Sequence, residues 1–207
     1  INLSGTGISP EINVKQGATN YLTGSTYAFG NIIVTQSSAD ITFTIENLGT
    51  SPFNLTGTPR VNITGADAAM FSVPLQAATP IAAAGTTTFT LRFSPASIGA
   101  KTATISIAND DLDENPYTFT ITGTGISPEI NVRQGAANIA SGTGTYAFTN
   151  VVVNSNSSVV FTIDNLGTSP LNLTGAPLVN ITGVDASMFT VTIVPTTPIA
   201  AAGTTTF

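Results

Sequence analysis

The chain has 207 residues, of which 42% are hydrophobic and 8% charged, enough apolar content to bury a core and to exclude wholesale disorder. Five Lys and Arg against eleven Asp and Glu leave a net charge of −6, so no cationic face is available for phosphates or anionic headgroups, and nucleic acid is not expected as a partner. Cysteine and histidine are both absent, which removes disulfides, thiolate chemistry, zinc-finger spacing and a Ser-His-Asp arrangement.

Read in chain order, residues 1–7 (INLSGTG) match residues 119–125 (FTITGTG), so the chain is expected to open on the last strand of a preceding repeat. The segment GTGISPEINV starts at Gly5 and again at Gly123, 118 residues on (123 minus 5), and PIAAAGTTTF starts at Pro80 and Pro198 with the same offset. This periodicity divides the sequence into residues 1–7, a complete repeat at 8–125, and a second repeat at 126–207 that stops before its last strands. The closing Phe207 matches Phe89 inside the run TTTFTLRF, so a longer periodic chain is expected. The second account is strand donation, in which residues 1–7 complete a neighbour's sandwich.

Within the complete repeat the elements predicted first are strands at 11–14 and 29–34. Ile41, Phe43 and Ile45 then alternate with Thr42 and Thr44, as a strand with one buried face requires. Candidates at 53–56 and 60–63 follow, with a turn of helix at 67–71, where Asp67, like Asp185 in the second copy, is placed to cap the turn. The ladders Phe89, Leu91, Phe93; Ala103, Ile105, Ile107; and Tyr117, Phe119, Ile121 complete the set. About seven to nine short strands separated by turn signals predict an all-β fold, a two-sheet antiparallel sandwich of the immunoglobulin-like kind, repeated in tandem. No run approaches the roughly 18 apolar residues of a membrane-spanning helix, so this segment is not expected to insert into a membrane.

The run NDDLDENPYTFTITGTG from Asn109, the following ISPEINV, and the segments FTIENLGTSP and AAGTTTFTLRFSP together resemble the bacterial choice-of-anchor D repeat, one of the ASPM/Hydin-like immunoglobulin-like domains. The resemblance implies a large secreted or surface-anchored bacterial protein in which such domains serve as spacers or adhesive stalks. It implies no catalytic residues.

The densest polar feature is the tip between the last two predicted strands, where Asp110, Asp111, Asp113 and Glu114 crowd together. A hard cation taking about six to eight oxygen ligands would relieve their repulsion. Glu11, just after the inter-repeat linker, and Glu46 are expected at the same pole, so calcium held by Asp110, Asp111, Asp113, Glu114 and Glu11 could brace a junction between repeats. The plainer reading is a solvated acidic turn set by Asn115 and Pro116. The Gly and distal Glu of an EF-hand are missing from it.

Asn2, Asn54, Asn62, Asn156, Asn172 and Asn180 each head an Asn-x-Ser/Thr triplet, as chance supplies in so Asn- and Thr-rich a chain. Tyr27 with Phe29, and Tyr146 with Phe148, either stack on a sugar or fill a core. The glycines of GTG are read as strand-end flexibility, since no helix follows to make a phosphate site. These features predict a non-enzymatic repeat of an extracellular or cell-surface stalk, filament or adhesin. Its expected partners are neighbouring repeats, or further copies joined by strand or end-to-end contacts. The rival is a module that binds a glycan or protein through loops at one pole.

Overall fold

A computed structural model describes all residues 1–207, which divide into two compact units, Ile1–Gly125 and Ile126–Phe207. The first contains strands β1 (Ile12–Gln16), β2 (Thr19–Asn20), β3 (Thr26–Ile33), β4 (Ile41–Asn47), β5 (Asn62–Thr64), β6 (Phe71–Leu75), β7 (Thr86–Phe93), β8 (Gly99–Ile107) and β9 (Tyr117–Ile126). A single 3-10 turn, Ala68–Met70, precedes β6. The second contains β10 (Ile130–Gln134), β11 (Ala137–Asn138), β12 (Thr162–Asn165), β13 (Thr204–Thr206) and the 3-10 turn Ala186–Met188. No helix is long and apolar enough to cross a membrane.

In the first unit the order β2-β1-β4-β7-β6 forms one sheet and β3-β9-β8-β5 the other. Strict alternation produces this: β9 reads buried and half-buried by turns along its whole length, with Tyr117, Phe119, Ile121, Gly123 and Gly125 facing inward. Phe43 and Ile45 on β4, Phe89, Leu91 and Phe93 on β7, and Ile105 and Ile107 on β8 are fully enclosed. Each such side chain stabilises the fold by about 1.5–3 kcal/mol relative to its exposed state. Phe43 bridges the sheets, its ring 5.4 Å from Phe89 beside it and 5.5 Å from Phe119 opposite. The result is an antiparallel two-sheet sandwich with one continuous core.

The expected strands at 11–14, 29–34 and 60–63 are present with shifted ends. The segment at 53–56 is not a strand but two isolated bridges, Phe53 to Ile81 and Leu55 to Asn109. β6 was not anticipated, because Pro74 argues against a strand. It lies at a sheet edge, where a missing N–H costs no ladder bond, and its register shifts between Ser72 and Leu75. Residues 1–8 form no element.

The second unit has one sheet, β11-β10-β12-β13. It reproduces the register of the first: Ile130 faces Asn165 as Ile12 faces Asn47, and Val132 faces Ile163 as Val14 faces Ile45. Burial differs. Ile12 is 3% exposed and Ile130 51%.

Candidate functional site

The acidic tip joins β8 to β9, and local hydrogen bonding shapes it. The Asn109 amide donates to Asn115 Oδ1 at 3.1 Å, and Asn109 Nδ2 donates to the carbonyls of Ile107 and Glu114 at 2.9 and 3.0 Å. Asn109 Oδ1 accepts from the Asp111 amide at 2.9 Å, a side chain mimicking a backbone turn. This fold of the loop turns Asp111 inward, and Asp111 Oδ2 accepts the Ile12 amide at 2.9 Å. Asp111 is therefore buried, and it fastens the tip to the start of β1.

That contact brings Glu11 into place. Ligand oxygens of Glu11, Asp111 and Asp113 all lie within 4.8 Å of one another. Glu114 stands beside them, half-buried, with one carboxyl oxygen enclosed and without a hydrogen-bond partner. Burial above all, and then the charges of Glu11, Asp111 and Asp113, push its carboxyl above the usual range. A proton on Glu114 or a hard cation among the four carboxyls would each relieve the arrangement.

Two of the expected acids are used elsewhere. Asp110 turns to Asn54, accepting its amide and its Nδ2, each at 2.7 Å, and so secures the bridge of Leu55 to Asn109. Glu46 pairs with Lys15 and accepts from Asn13 Nδ2 at 2.8 Å. These contacts, the Lys15 one foremost, hold its carboxyl below the usual range.

A second constellation carried no signal in the charge pattern. Asn47, fully buried at the end of β4, donates through Nδ2 to the carbonyls of Ser51, Ile81 and Ala82 at 2.8, 3.2 and 3.1 Å. Its Oδ1 accepts the Gly49 amide at 3.0 Å. Asn165 repeats the set on Ser169, Ile199, Ala200 and Gly167. The turns so formed grip the chain entering each unit: Leu48 and Thr50 donate to the carbonyls of Glu11 and Ser9, and Leu166 and Thr168 to those of Glu129 and Ser127, at 2.7 to 2.8 Å. A Cβ on Gly49 or Gly167 would strike that same backbone. The readable signal was the repeated N-L-G-T-S-P, with glycine two residues after asparagine.

Asp67 occupies the cap position of its 3-10 turn without capping it. β5 ends opposite Thr104, and the Asp67 carboxylate instead takes the Thr102 amide beyond that end, at 3.0 Å. Asp185 likewise makes no side-chain cap bond. Gly123 and Gly125 are not flexible ends: a Cβ on Gly123 would enter the Phe93 ring and one on Gly125 the Ser97 carbonyl. Tyr27 packs edge-on against Phe29 and Phe43, with ring centres 5.1 and 5.2 Å away. Its ring face is thus committed to the core.

No protein-family model matches the sequence, and no curated protein matches it. Among solved structures, a protein of unknown function from Porphyromonas gingivalis W83 is similar at 14% identity and a TM-score of 0.41, over 56% of this chain and 46% of that one. The PapD-like domain 7 of human CEP192 is similar at 14% identity and a TM-score of 0.41, over 62% of this chain and 94% of that one. The N-terminal domain of PorA is similar at 12% identity and a TM-score of 0.36, over 56% of this chain and 97% of that one. Likenesses this distant carry no argument about function.

Proposed function

We propose that the chain is a non-enzymatic, load-bearing segment of an extracellular or cell-surface stalk or filament, built from tandem immunoglobulin-like sandwiches. The resemblance to choice-of-anchor D repeats and the 118-residue duplication support this reading. The observation that carries it is the anchoring of the connecting residues. β9 continues to Ile126, and the next residue, Ser127, already donates its amide to Thr168 Oγ1 at 3.1 Å and accepts the Thr168 amide at 2.8 Å. A tether serving only to permit motion would be rich in free Gly and Ser.

Force extension of several copies of residues 8–125 in series tests the mechanical part. Each 118-residue repeat should yield as one event releasing about 400 Å of contour length. Gradual lengthening without discrete events would count against it.

The acidic tip has a place in the same reading, with calcium taken by Glu11, Asp111, Asp113 and Glu114. The enclosed, partnerless oxygen of Glu114 favours it. Calcium should raise the midpoint of thermal unfolding and chelator reverse the rise, with both effects lost in Asp113→Asn. A midpoint indifferent to calcium would remove the metal from the account and leave the stalk untouched.

A further inference from the structure

We infer that the outer face of the β3-β9-β8-β5 sheet is a binding surface for crystalline water, so that the first unit adsorbs to ice and slows the growth of its crystals.

The face is built by register. Between β8 and β9, Thr102 lies opposite Thr122, Thr104 opposite Thr120 and Ser106 opposite Thr118. β5 extends two of these rows, with Thr64 opposite Thr104 and Asn62 opposite Ser106. Their sequence neighbours Ala103, Ile105, Phe119 and Ile121 are buried in the core, so by alternation this set points out of the sandwich. Along each strand the hydroxyl-bearing residues recur about every 6.8 Å, two residues at about 3.4 Å each, and neighbouring strands lie about 4.8 Å apart. The hydroxyls therefore form a two-dimensional grid with repeats close to the oxygen spacings of ice. Sheet twist turns adjacent strands by about 20–25°, and a grid three strands wide accumulates only two such turns.

The chemistry of the face suits that occupant. A threonine hydroxyl donates one hydrogen bond and accepts two, as a lattice water requires of its neighbours. Its branched Cβ restricts χ1, so little freedom is lost when water orders against it. No residue of the grid is charged, whereas a charged group would have to be desolvated against a crystal surface. The other sheet is the internal contrast: its rows Thr42 with Thr90 and Thr44 with Thr88 are bordered by the ion pairs of Lys15 with Glu46 and Arg92 with Asp40. At one end of the grid the small residues Ala28, Gly30 and Ala100 leave an open hollow of about 370 Å³ beside Thr102, Thr122 and Thr124, so water reaches these hydroxyls directly. Lys101, the charged residue at its margin, donates to Ser97 Oγ at 2.9 Å.

The face lies within one complete sandwich and does not depend on the stalk reading, so either can fail alone. The whole chain, added to a polycrystalline ice film in sucrose solution, should arrest recrystallisation, and single ice crystals grown in its presence should be faceted. Thr120→Lys, within the grid, should abolish both effects, whereas Thr88→Lys, on the outer face of the other sheet, should leave them unchanged. Both side chains point outward, so the circular-dichroism melts of the two variants should match that of the unaltered chain. Should Thr120→Lys melt early, Thr104→Lys makes the same test on the neighbouring strand. Ice growth that the chain does not slow at any concentration, or slowing that survives both Thr120→Lys and Thr104→Lys, would overturn the inference. So would self-association in sedimentation velocity that Thr120→Lys abolishes while ice growth is unaffected, which would assign the face to a second copy of the chain.

Discussion

The Asn47 side chain, itself fully buried, satisfies three backbone carbonyls and the amides of Gly49 and Glu11, and each group left unpaired costs about 1–3 kcal/mol. Asn47→Ala should therefore destabilise the first unit by about 3 kcal/mol in urea unfolding, whereas Asn54→Ala, at an exposed contact with Asp110, should cost less than about 1 kcal/mol. Glu114 sets a pH dependence. Its raised carboxyl means that the folded chain keeps a proton which the unfolded chain has lost between the ordinary and the raised value. Its contribution is present at low pH and disappears as pH rises through the raised value. Asp40, Glu46 and Asp164, held low chiefly by Arg92, Lys15 and Arg133, act in the opposite sense. Their contribution is lost on acidification below the ordinary carboxylate range. In calcium-free buffer, Glu114→Gln should remove the loss of stability on the rising side of the acidic range and leave the acid limb in place. An unchanged profile would show that Glu114 is not the group responsible.

At the scale of elements, strict alternation made β4, β7, β8 and β9 legible, because a half-buried strand writes its burial into every second residue. β6 was not legible, since its proline and irregular register erase the alternation. Nor was the clamp at Asn47: a buried amide that satisfies distant carbonyls leaves no periodic mark. The acidic tip was legible as a cluster of charge, but its sorting was not. Asp110 and Asp111 are neighbours in sequence, and only the turn made by Asn109 sends one to Asn54 and the other to Ile12. The inward glycines of β9 give an element-level prediction. Gly123→Val forces a side chain into the Phe93 ring and should cost about 1–3 kcal/mol, as overpacking does, whereas Gly5→Val, with open space around it, should leave thermal stability unchanged. Amide exchange should show the β3 amides bonded to β9 protected.

At the scale of the molecule, the buried asparagines Asn47, Asn109 and Asn165 each form a turn. The aromatic side chains of the first unit are spent on one core. The polar positions brought together are those that fasten a chain as it enters a sandwich: Asp111 on Ile12, the Asn47 turn on Ser9 and Glu11, and the Asn165 turn on Ser127 and Glu129. Each unit thus concentrates hydrogen bonds where its chain enters. The loops of the two copies differ at scattered positions, most visibly at residues 21–26 and 35–40, rather than at a single pole. If the proposed stalk keeps one direction through successive sandwiches, negative-stain images of a chain with several repeats in series should show straight beaded rods with one bead for each 118-residue repeat. Beads joined at random angles, bending freely at each junction, would contradict that proposal.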